Sequence, residues 1–177
     1  VFPLPRAMCS NQKTYENNTL NSMIRFCQHL SNTADCLYIH TKATTAKSKA
    51  QHSWREFMMY WMVERHDIAI DLLHRDFYTV GTLYQKLPFI VYGCNRLYSG
   101  NFFWGSSDYI KQLPMVNNTS NRFLAEYLIF KRYVRGKHAS INSQTFVSIY
   151  IPFKTGLYKD CIKVTPITND KLRILIV

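Results

Sequence analysis

The stretch 36–81, CLYIHTKATTAKSKAQHSWREFMMYWMVERHDIAIDLLHRDFYTVG, decides the fold class. It opens on a short apolar run, Cys36-Leu37-Tyr38-Ile39, with the length and composition of a buried strand. The run ends in His40-Thr41-Lys42 and passes into a polar loop carrying Lys47 and Lys49. Ser53-Trp54-Arg55-Glu56 then has the form of a capping box, in which the Ser accepts from first-turn amides and the Glu reaches back. That box predicts a long helix through Phe57, Tyr60, Trp61 and Glu64 toward Leu73. Phe77-Tyr78-Thr79-Val80-Gly81 reads as the next short strand. Two strands separated by a helix of that length imply layered α/β architecture.

Upstream, Leu20, Met23, Ile24, Cys27 and Leu30 recur at helical spacing within 15–30. Downstream, Leu83 to Arg96 is aromatic and irregular, and Leu97 to Trp104 is strand-like but interrupted by Gly100. Ser106 can cap a short helix stopped by Pro114, and Asn121 another that contains Phe123, Leu124, Tyr127 and Leu128. The tail (146–151, 162–165 and 172–177) has strand character without intervening helices, so the central sheet is expected to be mixed. With 177 residues, no repeat and no low-complexity tract, the chain is expected to be a single domain over 1–177.

The composition, 47% hydrophobic and 19% charged, supports a packed core and excludes a disordered tail. Twenty-two Lys and Arg against eleven Asp and Glu leave a formal charge of +11, which suits an anionic partner: nucleic acid, a lipid headgroup or a phosphorylated small molecule. The densest apolar runs, Phe57–Val63 and Ile174–Val177, are far shorter than the roughly 18 residues a membrane span needs. The five cysteines (Cys9, Cys27, Cys36, Cys94, Cys161) form no CxxC pair and have no zinc-like spacing, which suits buried thiols and leaves at least one unpaired within the chain. Sequons at Asn17 and across 117–120 permit the secretory lumen without excluding the cytoplasm. The first residue is Val1, so a mature form or a fragment is expected.

Four features have the chemistry of a site. His40-Thr41-Lys42 follows a strand, and ligands in open α/β sheets bind beyond the carboxyl ends of strands; the same residues also suit a solvated loop start. Ser99-Gly100-Asn101 offers a close backbone approach between two short hydrogen-bonding arms, or else a β-bulge. Arg55 lies near a helix start, where anions are favoured, and Glu126 lies four residues after Arg122, either as an ion pair or as a carboxylate aimed at a substrate hydroxyl. There is no P-loop, GxSxG or HExxH, and the recognised nucleic-acid modules are missing, although the aromatics and lysines suit a single strand.

In serial order, Tyr38-Ile39-His40-Thr41-Lys42, Trp54-Arg55, Tyr98-Ser99-Gly100-Asn101-Phe102-Phe103-Trp104, Asp108-Tyr109, Leu113-Pro114 and Arg122…Glu126 resemble a family of small glycosyltransferases. That family runs Tyr-(Ile/Leu)-His-Thr-Lys-Gly, Trp-Arg, (His/Tyr)-Ser-Gly-Asn-Phe-Trp-Trp, Asp-Tyr-(Ile/Leu), Leu-Pro and Arg-x-x-x-Glu. The agreement extends from about Glu16 to Leu128, with Ala43, Ser53 and Phe103 departing from the pattern. The resemblance implies a GT-A-like domain with a mixed sheet flanked by helices, a nucleotide-sugar donor, and a glycan or other hydroxyl acceptor. It further implies that the chain starts after the family's first strand–helix unit. By carry-over, Glu126 is the catalytic base or acceptor-orienting carboxylate. Lys42 and Arg55 neutralise phosphate, His40 donates to it or ligates a metal, and Arg122 also binds substrate. Ser99, Gly100 and Asn101 contact the donor, and Trp104 packs on a sugar face. A GT-A-like fold usually employs Mn2+ or Mg2+, but no D-x-D motif occurs in this chain. The other readings of the same residues are an inactive glycosyltransferase-like scaffold and a basic nucleic-acid-binding domain.

Overall fold

Helix α1 spans Asn17–Gln28 and turns Leu20, Ile24 and Cys27, one helical stripe, into the interior. The structure, a computed structural model, describes residues 16–41, 48–91, 93–116, 123–141, 163–167 and 175–176. Strand β1 follows at Asp35–Tyr38, matching the apolar run expected there.

The second helical region departs from the expected capping box. Helix α2 is Lys49–Met59 and starts one turn earlier, with extended Ser48 as its N-cap residue, so Ser53 lies inside the helix and donates from Oγ to the Ala50 carbonyl (3.0 Å). Burial is the reason: Ala50, Trp54, Phe57, Met58 and Trp61 form one continuous apolar stripe, and a helix beginning at Ser53 would forfeit its first turn. Nor does the helix run unbroken to Leu73. Residues Tyr60–Glu64 form a π-helical turn closed by the Arg65 amide on the Tyr60 carbonyl (2.8 Å), and helix α3 resumes at His66–His74.

Strand β2, Thr79–Thr82, is buried along its whole length. The segment read as irregular is a hairpin of β3 (Tyr84–Val91) and β4 (Cys94–Tyr98), with Gly93 at φ +75° in its turn. Its alternation is hidden because the register shifts between Lys86 and Val91, around Pro88. The stretch 97–104 is likewise two strands in different sheets. Tyr98 closes β4, and β5 (Phe103–Ser106) enters the main sheet. Short helices α4 (Ser107–Ile110) and α5 (Phe123–Leu128) follow, then β6 (His138–Ile141), β7 (Lys163–Pro166) and β8 (Leu175–Ile176). The tail stretch 146–151 lies outside the described residues.

The main sheet has the order β1-β5-β2-β6-β7-β8, with β2 and β6 parallel and the other pairings antiparallel. It is the mixed sheet of an α/β domain, as expected. Side chains alternate across it. Phe103 packs with Tyr38, Leu20 and Ile24 in the core under α1, α4 and α5, and Trp104 packs with Val80 and Met62 in the core under α2 and α3. Among the described residues no helix is long and apolar enough to cross a membrane.

Candidate functional site

Backbone geometry builds the site before any side chain does. After β4 the chain reverses through Gly100 (φ +91°) and Asn101 (φ +57°), both in the left-handed region. Asn tolerates that region, whereas a Cβ on Gly100 would overlap the Met58 sulfur and approach the Trp54 ring to 3.1 Å. The reversal aims the Gly100 carbonyl at the residues leaving the carboxyl end of β1. There His40 donates from Nε2 to that carbonyl at 2.9 Å.

The other imidazole nitrogen, Nδ1, lies 3.3 Å from Glu16 Oε1. The second oxygen of Glu16 accepts from Asn101 Nδ2 at 2.8 Å and from the Tyr38 hydroxyl at 3.3 Å. One carboxylate at the N-cap of α1 therefore meets the last residue of β1, the imidazole of His40 two residues beyond it, and the amide of Asn101 in the β4–β5 turn. Asn101 is 1% exposed, and its amide also reaches the Ala125 carbonyl of α5 at 3.4 Å. Burial, with Glu16 beside it, pushes the Tyr38 phenol well above its ordinary range, so Tyr38 stays a donor. His40 also stacks on Tyr38 and meets Phe102 edge-on, with ring centroids 6.0 and 5.4 Å apart. Among the described residues, the Asn101 Oδ1 and the side-chain amide of Asn17 are buried at this end without hydrogen-bond partners.

The sequence-predicted residues divide as follows. His40, Gly100 and Asn101 come together. Ser99 is buried beside them, its amide donating to the Leu83 carbonyl (3.0 Å). Arg55 lies on α2 next to Trp54, and its guanidinium donates to His52 Nδ1 at 3.4 Å. Glu126 is half-buried on α5, one residue past the carbonyl that Asn101 reaches. Trp104 lies apart, farther along β5, where its indole donates to the Met62 carbonyl at 2.7 Å and stacks near His66. Lys42 and Arg122 lie outside the described residues.

Sequence reasoning missed Glu16, the hub of the cluster. A lone acid ahead of an amphipathic helix carries no spacing signal, and only tertiary contact shows its partners. The sequon residue Asn17 is fully buried in the fold.

A cavity of about 350 Å³, lined by Phe77, Tyr78, Asp108, Tyr109 and Arg132, opens at the other end of the strands. Register places it there: Tyr38 pairs with Phe103 at the His40 end of β5, and Asp35 pairs with Ser106 at the cavity end. Asp108 is occupied there by Lys111 (2.5 Å) and Thr33, which hold its carboxyl below the usual range. Among the described residues no three His, Cys, Asp or Glu side chains are grouped so as to hold a metal ion.

A family model described as Domain of unknown function (DUF8361) matches residues 6–144. No curated protein and no solved structure matches the chain.

Proposed function

The chain belongs to the family Domain of unknown function (DUF8361), and we propose, on its motifs and their geometry, that it moves a sugar from a nucleotide-sugar donor to a hydroxyl acceptor. The observation that supports this reading is the meeting of two motifs 60 residues apart, with the His40 imidazole on the Gly100 carbonyl and Asn101 on the same Glu16 carboxylate. These motifs belong to the series that resembles glycosyltransferases, and they meet beyond the carboxyl end of β1, where ligands of open α/β sheets bind.

Transfer requires charge stabilisation on the departing diphosphate and a carboxylate at the acceptor hydroxyl. The Glu16 cluster brings a carboxylate of its own, so the scheme also needs cations: Arg55 on the helix packed against Gly100, together with Lys42 and Arg122, which the motif resemblance alone assigns. Glu126 takes the acceptor-facing role, and Asn101, held by Glu16, orders the turn against which the donor rests. Trp104, committed to Met62, is given no sugar contact in this scheme.

One observation favours a second reading, a glycosyltransferase-like protein that binds without turnover: both ring nitrogens of His40 are already engaged within the protein. A single pair of measurements separates the two. Thermal shift against nucleoside diphosphates, with and without Mn2+, should raise Tm if the donor site exists, because a ligand bound only to the folded state stabilises it by mass action. Hydrolysis or transfer of a nucleotide sugar, lost on Glu126→Ala by about 10²-fold or more, should then accompany binding. Binding without turnover selects the second reading, and no binding to any nucleotide sinks both. If a single-stranded oligonucleotide binds instead, with affinity falling steeply in salt, the basic surface serves nucleic acid.

A further inference from the structure

We propose that Cys27 and Cys36 are an oxidative modification site, closing to an intramolecular disulfide that fastens α1 to β1. Their sulfurs are 3.6 Å apart, in hydrogen-bond contact, across nine residues of chain. A disulfide bond is about 2.05 Å long, so closure asks for roughly 1.5 Å of sulfur movement, within reach of small side-chain rotations. The two thiols differ in access. Cys27 is 0% exposed in the core under α1, whereas Cys36 is half-buried on β1, at the edge of the main sheet. The contact between the two sulfurs favours the thiolate of Cys36 against the cost of its burial, and the same contact, with burial, pushes the Cys27 thiol up.

The site therefore has an order of events. A disulfide oxidant such as oxidised glutathione meets the Cys36 thiolate, which attacks one of its sulfurs; a Cys36–glutathione bond forms and one glutathione thiolate leaves. Cys27 then gives up its proton and attacks the Cys36 sulfur, forming the Cys27–Cys36 bond and releasing a second glutathione, which takes that proton. Two protein thiols are oxidised and one small disulfide is reduced to two thiols. The product ties together the elements whose other ends carry Glu16, Tyr38 and His40.

Trypsin tests this directly, because no Lys or Arg occurs between Arg25 and Lys42 and both cysteines fall in peptide 26–42. The full chain is exposed to excess oxidised glutathione, alkylated with iodoacetamide and digested. The expected result is a peptide about 2 Da lighter than its reduced form and carrying no alkyl group, with two alkylation sites restored by dithiothreitol. Closure in the folded chain should be at least about tenfold faster than in concentrated urea, because the fold holds the reactants together. Two alkylated thiols after oxidation, a stable glutathione adduct on Cys36, or equal rates with and without urea would each overturn the proposal.

Discussion

Gly100 sits where two constraints coincide: a backbone at φ +91°, and a Met58 sulfur that occupies the place of any β-carbon. Gly100→Ala therefore combines left-handed strain with overpacking, and should cost about 2–4 kcal/mol. Urea unfolding of the variant against wild type measures it, and a difference under 1 kcal/mol (the ordinary scale of a surface change) would show that the turn can relax. The loss should reach the site, since the displaced carbonyl is the one that receives His40. The three-residue run Ser99-Gly100-Asn101 was legible in the sequence as a close backbone approach or a β-bulge, because glycine between two short polar side chains suits both, but the full reversal between two strands was not. Its partner Glu16 was not legible, since nothing local ties a residue at the start of α1 to one 85 residues away.

At the scale of elements, the hairpin and the main sheet meet at Gly81 and Tyr98. A β-carbon on Gly81 of β2 would fall 2.5 Å from the Tyr98 ring of β4, so the ring lies flat against a strand that has no side chain there. The hydroxyl of that ring donates to the Ala139 carbonyl of β6 at 2.8 Å and shares a contact with Thr79 at 3.0 Å. Gly81→Ala must displace the ring and unseat a buried hydroxyl, and should cost about 2–4 kcal/mol in equilibrium unfolding. At the hairpin's far end, Phe89 and Ile90 are 61% and 74% exposed, and Phe89→Ser should change stability by less than about 0.5 kcal/mol. The contrast between the two variants, read in one urea series, checks that the hairpin is anchored at its base. The existence and order of α1, β1, β2, α4 and α5 could be read from periodicity. The start of α2, the π-helical turn and the division of 97–104 between two sheets could not, because each follows from what an element packs against.

For the whole molecule, the most telling group is His138 in β6. It lies among the rings of Tyr78, Tyr109, Phe130 and Tyr133, and its Nδ1 contacts Thr79 Oγ1 at 2.6 Å. Burial first, and then the positive charge of Arg96, lower its pKa to about 3. The unfolded chain, with an ordinary histidine near 6.5, binds the proton more readily than the folded one between those values. The contribution is therefore complete above about pH 6.5 and shrinks as pH falls toward 3, at up to about 1.4 kcal/mol per pH unit. His138→Gln should remove that slope, so the wild-type advantage over the variant measured at pH 7.5 should narrow at pH 5. An advantage independent of pH would mean that the imidazole is reached by the solvent proton without unfolding. What the sequence determined alone was local and periodic: an α/β class from apolar runs alternating with helical stripes, a strongly basic charge balance from composition, and a glycine that interrupts 97–104. Tertiary structure alone decided the pairing of β2 with β6, the hub at Glu16 and the neighbouring sulfurs of Cys27 and Cys36. The physical reason is that periodicity records which face of an element is buried, while the identity of what buries it is settled only when the whole chain packs.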